Sequence, residues 1–273
     1  MDIRDTRGKA EQVLVSFMSL LWMAKYHAKF TAVLPLTRIC LLLLGEHPNS
    51  LVAEQILNLI SISIASSASF IRKFELVSGW GVLKTVIPRS WDERVHRAAF
   101  GILTGRPPSN DSSEQPQPGR DTGCCTHIIP TILCSLQAGL VTVAERCQLT
   151  YSRDGTCQCD VFAIGANDAW LDEQSVWSSE LTMDALIEEL MALHSASATF
   201  RHVFASQQTT QLFVNIYKTF VSTVSNAPKV DNHLTIRILE KLSHFGLALA
   251  LDNAVAGSYK REVRHGIIPN TMA

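Results

Sequence analysis

Apolar residues return at three- and four-residue steps along most of the chain, the spacing that lines one face of an α-helix. Alternation of the strand kind is confined to a short stretch around Cys159 to Ile164. A first helix is predicted over 11–30 and a second over 34–44, closed by Gly45 as a left-handed cap, with Pro48 blocking continuation. Ser50 is expected to cap a third helix, in which Leu51, Val52, Ile56, Leu59, Ile60 and Ile64 form one buried stripe opposite a polar side. Ser69 to Val77 follows and breaks at Ser78-Gly79, and Trp80 to Ile87 makes one or two turns before Pro88. Asp92 then caps a helix to Thr104, where Gly105 and Pro107-Pro108 echo the earlier Gly45 and Pro48.

Residues 106–123 carry proline, glycine, serine and charge with nothing apolar to anchor them, and read as a surface loop or linker. Helical spacing resumes over 130–147, becomes less regular over 148–179, and returns over 182–194, 198–204, 209–224 and from Asn232 to about Ala256. On the 209–224 helix, Leu212, Phe213, Ile216, Tyr217 and Phe220 make an aromatic-rich face that is expected to be core. Helices of this length, joined by short turns and carrying wide apolar stripes, must bury those stripes on one another. The fold class that follows is all-α, read as an α-solenoid of stacked helical hairpins in preference to a compact bundle. One helical block spans 1–105 and a second 124–258, on either side of the linker.

Composition narrows this picture. With 47% hydrophobic and 18% charged residues the chain can bury a large core. Twenty-four basic against 25 acidic residues give a net charge of -1, which argues against nucleic acid as a partner. Seven cysteines are an odd number, and Cys40 and Cys134 sit in apolar helical runs, so reduced thiols and a reducing, intracellular compartment are expected. The apolar run from Val13 to Ala24 follows Asp2, Asp5 and Glu11 where a signal peptide carries basic residues. Lys25, His27, Lys29 and Arg38 interrupt it before the roughly 20 apolar residues that a membrane span needs.

No motif supports a chemical site. Gly79-Trp80-Gly81 before Lys84-Thr85 lacks the glycine next to the lysine that lets backbone amides wrap a phosphate. Cys124, Cys125, His127, Cys157 and Cys159 are the metal candidates, but their spacing does not give two chelating pairs. His194 and His202 fall on separate predicted helices, and Glu188-Glu189 reads as a solvated face. No residue is therefore assigned a catalytic, cofactor-binding or metal role, no cofactor is expected, and the chain is read as non-enzymatic.

Three segments carry a resemblance. They are KFELVSGWGVLKTVIPRSWDERVHRAAFGILTGR (Lys73 to Arg106), LIEELMALHSASATFRHVFASQQTTQLFVNIYKTFV (Leu186 to Val221) and RILEKLSHFGLALALDNAVAGS (Arg237 to Ser258). Together they resemble the helical N-terminal region of the BEACH-domain (beige-type) proteins, in particular the fungal members related to Alfy and neurobeachin. The resemblance implies an armadillo-like solenoid, part of a much longer chain that continues into lectin-like, PH-like, BEACH and WD40 modules. It further implies a protein-interaction scaffold in vesicle trafficking, vacuolar sorting or autophagy, cytoplasmic, binding protein partners and meeting endomembranes only indirectly. The pattern departs from the family at VRHGIIPNTMA, so 259–273 is expected to be a divergent tail on an incomplete solenoid. The rival reading is a helical small-molecule or lipid-binding protein, or an enzyme, with a pocket between the two blocks.

Overall fold

The computed structural model describes residues 3–22, 26, 27, 29, 34–46, 49–105, 125–151, 173–204, 207–225 and 233–264. Among these there are eleven α-helices, two short 3-10 turns and no strand. The chain divides into two compact units, Met1–Ala138 and Gly139–Ala273, and the division falls inside a helix. The expected linker 106–123, the strand-like stretch 159–164 and the end of the expected tail, 265–273, lie outside the described residues.

The first unit holds α1 (Ile3–Trp22), α2 (Leu36–Gly45), α3 (Ser50–Ser66), α4 (Ala68–Leu76), α5 (Gly79–Val86), α6 (Glu93–Thr104) and the start of α7 (Ile129–Tyr151). Its centre is α3, which packs against α1, α4 and α6, while α2 packs against α4 and α5. Val52, Ile56, Leu59 and Ile60 are buried as the spacing predicts, but Leu51 is exposed and Ile64 only half-buried. The supposed polar side is buried too: Gln55, Asn58, Ser61 and Ser63 all lie inside. Their burial is tolerated where polar atoms find partners. The Gln55 carbonyl oxygen lies 3.0 Å from the Ser19 hydroxyl of α1, and Ser63 Oγ lies 3.1 Å from His27 Nε2.

Local chemistry sets the helix ends. Asn49, not Ser50, caps α3: its side-chain oxygen accepts from the Val52 amide at 3.0 Å, and its Nδ2 donates to Glu11 of α1 at 2.7 Å. Asp92 caps α6 as expected, accepting from the Arg94 and Val95 amides. Gly105 closes α6 in the left-handed conformation at φ 69°. Gly45 does not repeat that device: it stays within α2, and among the described glycines only Gly105 has a positive φ.

At the break before α5, Ser78 is the left-handed residue, at φ 56°, although a glycine follows it. Gly79 is used for space instead. A Cβ there would lie 2.5 Å from the ring of Phe74, so its bare backbone lets α5 close onto α4. Along α5 and the 3-10 turn Ile87–Ser90, Gly79, Leu83 and Ile87 form the buried line, whereas Trp80, Val82 and Val86 are only half-buried.

The second unit holds the rest of α7 with α8 (Glu173–Ala196), α9 (Ala198–Phe204), α10 (Gln207–Ser225) and α11 (His233–Arg264). Helix α7 runs past the expected end to Tyr151, and α8 starts nine residues before Thr182, so both ends of the stretch read as less regular are helical. Helix α11 packs against α8 and α10, and α9 packs against both α8 and α10. Gly139 brings α7 close to α8, because a Cβ there would collide with the side chain of Met183. Of the aromatic-rich face of α10, Phe213, Ile216 and Phe220 are buried as predicted, whereas Leu212 and Tyr217 are only half-buried. Phe245 of α11 gathers the unit, its ring centroid 5.1 Å from Phe213, 5.4 Å from Phe204 and 5.6 Å from His194.

Over Thr126–Val143 the chain is long and apolar enough to cross a membrane by length and composition, and half of that stretch is buried. A core helix passes the same test, so the property does not separate the two uses.

Candidate interaction surface

Over Leu234–Ala254 the described side chains of α11 are divided among three tasks. Ile238, Leu242, Phe245 and Leu249 face the core, and Arg237, Lys241 and Asp252 meet α8. On the other flank Ser243 lies 3.1 Å from the Tyr217 hydroxyl of α10, and Asn253 donates to Thr210 at 2.8 Å. Opposite the core lie Ile236, Glu240, His244, Leu247 and Leu251, all exposed. These positions recur at three- to four-residue steps, so they share one face of the helix. Leu247 is 61% and Leu251 59% exposed, one turn apart.

Ion pairs hold that face in place. Asp184 of α8 is only 3% exposed. Its Oδ1 accepts from Arg237 Nε at 3.1 Å and its Oδ2 from Arg237 Nη2, and Lys241 Nζ lies 2.8 Å from Oδ1. Lys241 also donates to Glu188 at 2.9 Å. Burial pushes the Asp184 carboxyl up, but the hydrogen bonds and charges of Arg237 and Lys241 outweigh it and leave the acid below its ordinary range. Burial likewise opposes the charge on Lys241, and its bonds to Asp184 and Glu188 raise it nonetheless.

Further along the same two helices, His194 Nε2 lies 2.8 Å from Asp252 Oδ2, with the imidazole and the Phe245 ring in a T-shaped contact. Arg201 of α9 donates to the His194 and Ser195 carbonyls, a cation at the C-terminal end of α8 where the helix dipole favours one. A carboxylate beside an imidazole can orient it for proton transfer, but no hydroxyl or thiol is placed against this pair by a described hydrogen bond. Its visible role is to tie α8 to α11.

The residues singled out by sequence do not converge. His194 and His202 lie on α8 and α9, on separate helices as expected. Glu188 is exposed as expected, yet it is paired with Lys241. His127 stacks on Trp80 with ring centroids 5.5 Å apart and lies 3.4 Å from Glu75, and Cys125 is buried. Cys124, Cys157 and Cys159 lie outside the described residues. Among the described residues no three His, Cys, Asp or Glu side chains gather as metal ligands.

The buried thiol of Cys40 is pushed up to about 12, and burial also raises Cys134, so neither is a ready thiolate. Burial raises Glu54, with Arg94 and Arg97 opposing, and burial lowers His27. Trp80 Nε1, Trp91 Nε1 and Thr131 Oγ1 are buried without a hydrogen-bond partner among the described residues, on three different parts of the fold.

Sequence reasoning missed both the Asp184 network and the His194–Asp252 pair. A signal for the first was present: Asp184 interrupts the apolar set Met183, Leu186, Ile187 and Leu190, and Asp184/Glu188 matches Arg237/Lys241 as two i, i+4 pairs of opposite charge. Joining them requires knowing that α8 and α11 are neighbours. None of the protein-family models, curated proteins and solved structures compared with the chain matches it.

Proposed function

We propose that this chain is part of an armadillo-like α-solenoid and acts as a non-enzymatic scaffold that holds partner proteins through the outer face of α11. The observation that carries the reading is the pair of exposed leucines, Leu247 and Leu251, on a helix whose other sides are fixed by core packing, ion pairs and hydrogen bonds. A rigid helix presenting apolar side chains loses little conformational entropy when a partner covers them. The order α8, α9, α10, α11, each short connection joining helices of one packed group, suits the stacked-hairpin architecture.

Placement in vesicle trafficking, vacuolar sorting or autophagy, as a BEACH-type protein on the cytoplasmic side of endomembranes, rests on the three resembling segments alone. Affinity capture tests the binding reading, with wild type compared against L247K/L251K. Both positions are exposed, so the double variant is expected to keep its helical circular dichroism and its unfolding midpoint. Proteins retained by wild type and lost from the variant support the scaffold, and their identity tests the trafficking assignment. Equal retention by both forms contradicts binding through α11.

A further inference from the structure

We draw no further inference here: the strongest candidate, the apolar outer face of α11 around Leu247 and Leu251, belongs to the surface already described, and nothing in the structure shows what covers it.

Discussion

Removing the charge of Asp184 tests how the second unit is held. Asp184→Asn keeps the side-chain shape and takes away the carboxylate that three hydrogen bonds from Arg237 and Lys241 reach. A hydrogen bond to a charged group contributes about 1.5–3 kcal/mol, and bonds that share one acceptor do not add. The cations are not stranded by the change: Lys241 keeps Glu188, and the Arg237 side chain is 53% exposed. The cost therefore falls below the roughly 3–5 kcal/mol of leaving a buried charge unpaired. A loss of about 2–3 kcal/mol is expected. With a urea dependence of about 2 kcal/mol per molar, the midpoint drops by about 1–1.5 M at pH 7.

The effect must also depend on pH in one direction. The folded-state acid lies below its ordinary 3.8, so its contribution is present above that value and is lost as pH falls through the folded value. Wild type and variant should differ fully at pH 7 and pH 5 and begin to converge only below about pH 4. Urea denaturation followed by circular dichroism reads the midpoint, and hydrogen exchange of α8 and α11 peptides localises the loss. A midpoint change under about 0.3 M at pH 7 would refute the reasoning, as would a difference that persists unchanged at pH 3.

Other outcomes follow from the first unit. Gly79→Ala drives a methyl into the fully buried Phe74 ring and should cost about 1–3 kcal/mol by thermal melting, whereas Gly81→Ala, with open space at its Cβ, should be neutral or slightly stabilising. Asn49→Ala removes both the α3 cap and the tie to Glu11, and a loss of about 1 kcal/mol is expected in urea denaturation. His27 is lowered by burial, so the unfolded chain takes up the proton first, and stability falls as pH drops below 6.5 until the folded site also protonates. His27→Gln should flatten that part of the melting-temperature profile between pH 7.5 and pH 5, and an unchanged slope would argue against the burial account.

Helix type and most helix positions were legible because a 3.6-residue period survives in α3, α10 and α11 whatever the tertiary arrangement. Helix ends were legible at Asp92, a side-chain cap, and at Gly105, a left-handed backbone. They were misread at Gly45, whose sequence context is similar but whose backbone remains helical. The hidden polar residues of α3 escaped because periodicity ranks one face as apolar without saying that the opposite face is covered by α1 or α6. Gly79 was read as a helix breaker, since a sequence does not reveal that Phe74 lies where its Cβ would be. The ties at Asp184 and His194 join residues more than fifty positions apart, and spacing within one helix carries no information about such pairs. The outer face of α11 became visible only when its other three sides had been assigned to neighbours.

The most direct test of the central claim is the affinity of a purified captured partner for wild type and for L247K/L251K, measured by titration calorimetry. Burying the exposed part of each leucine stabilises a complex by about 2 kcal/mol, so losing both should weaken binding by nearly a thousandfold. A dissociation constant raised by at least that factor, with folding unchanged, is the predicted result. Binding by the double variant within threefold of wild type would contradict a scaffold built on the outer face of α11.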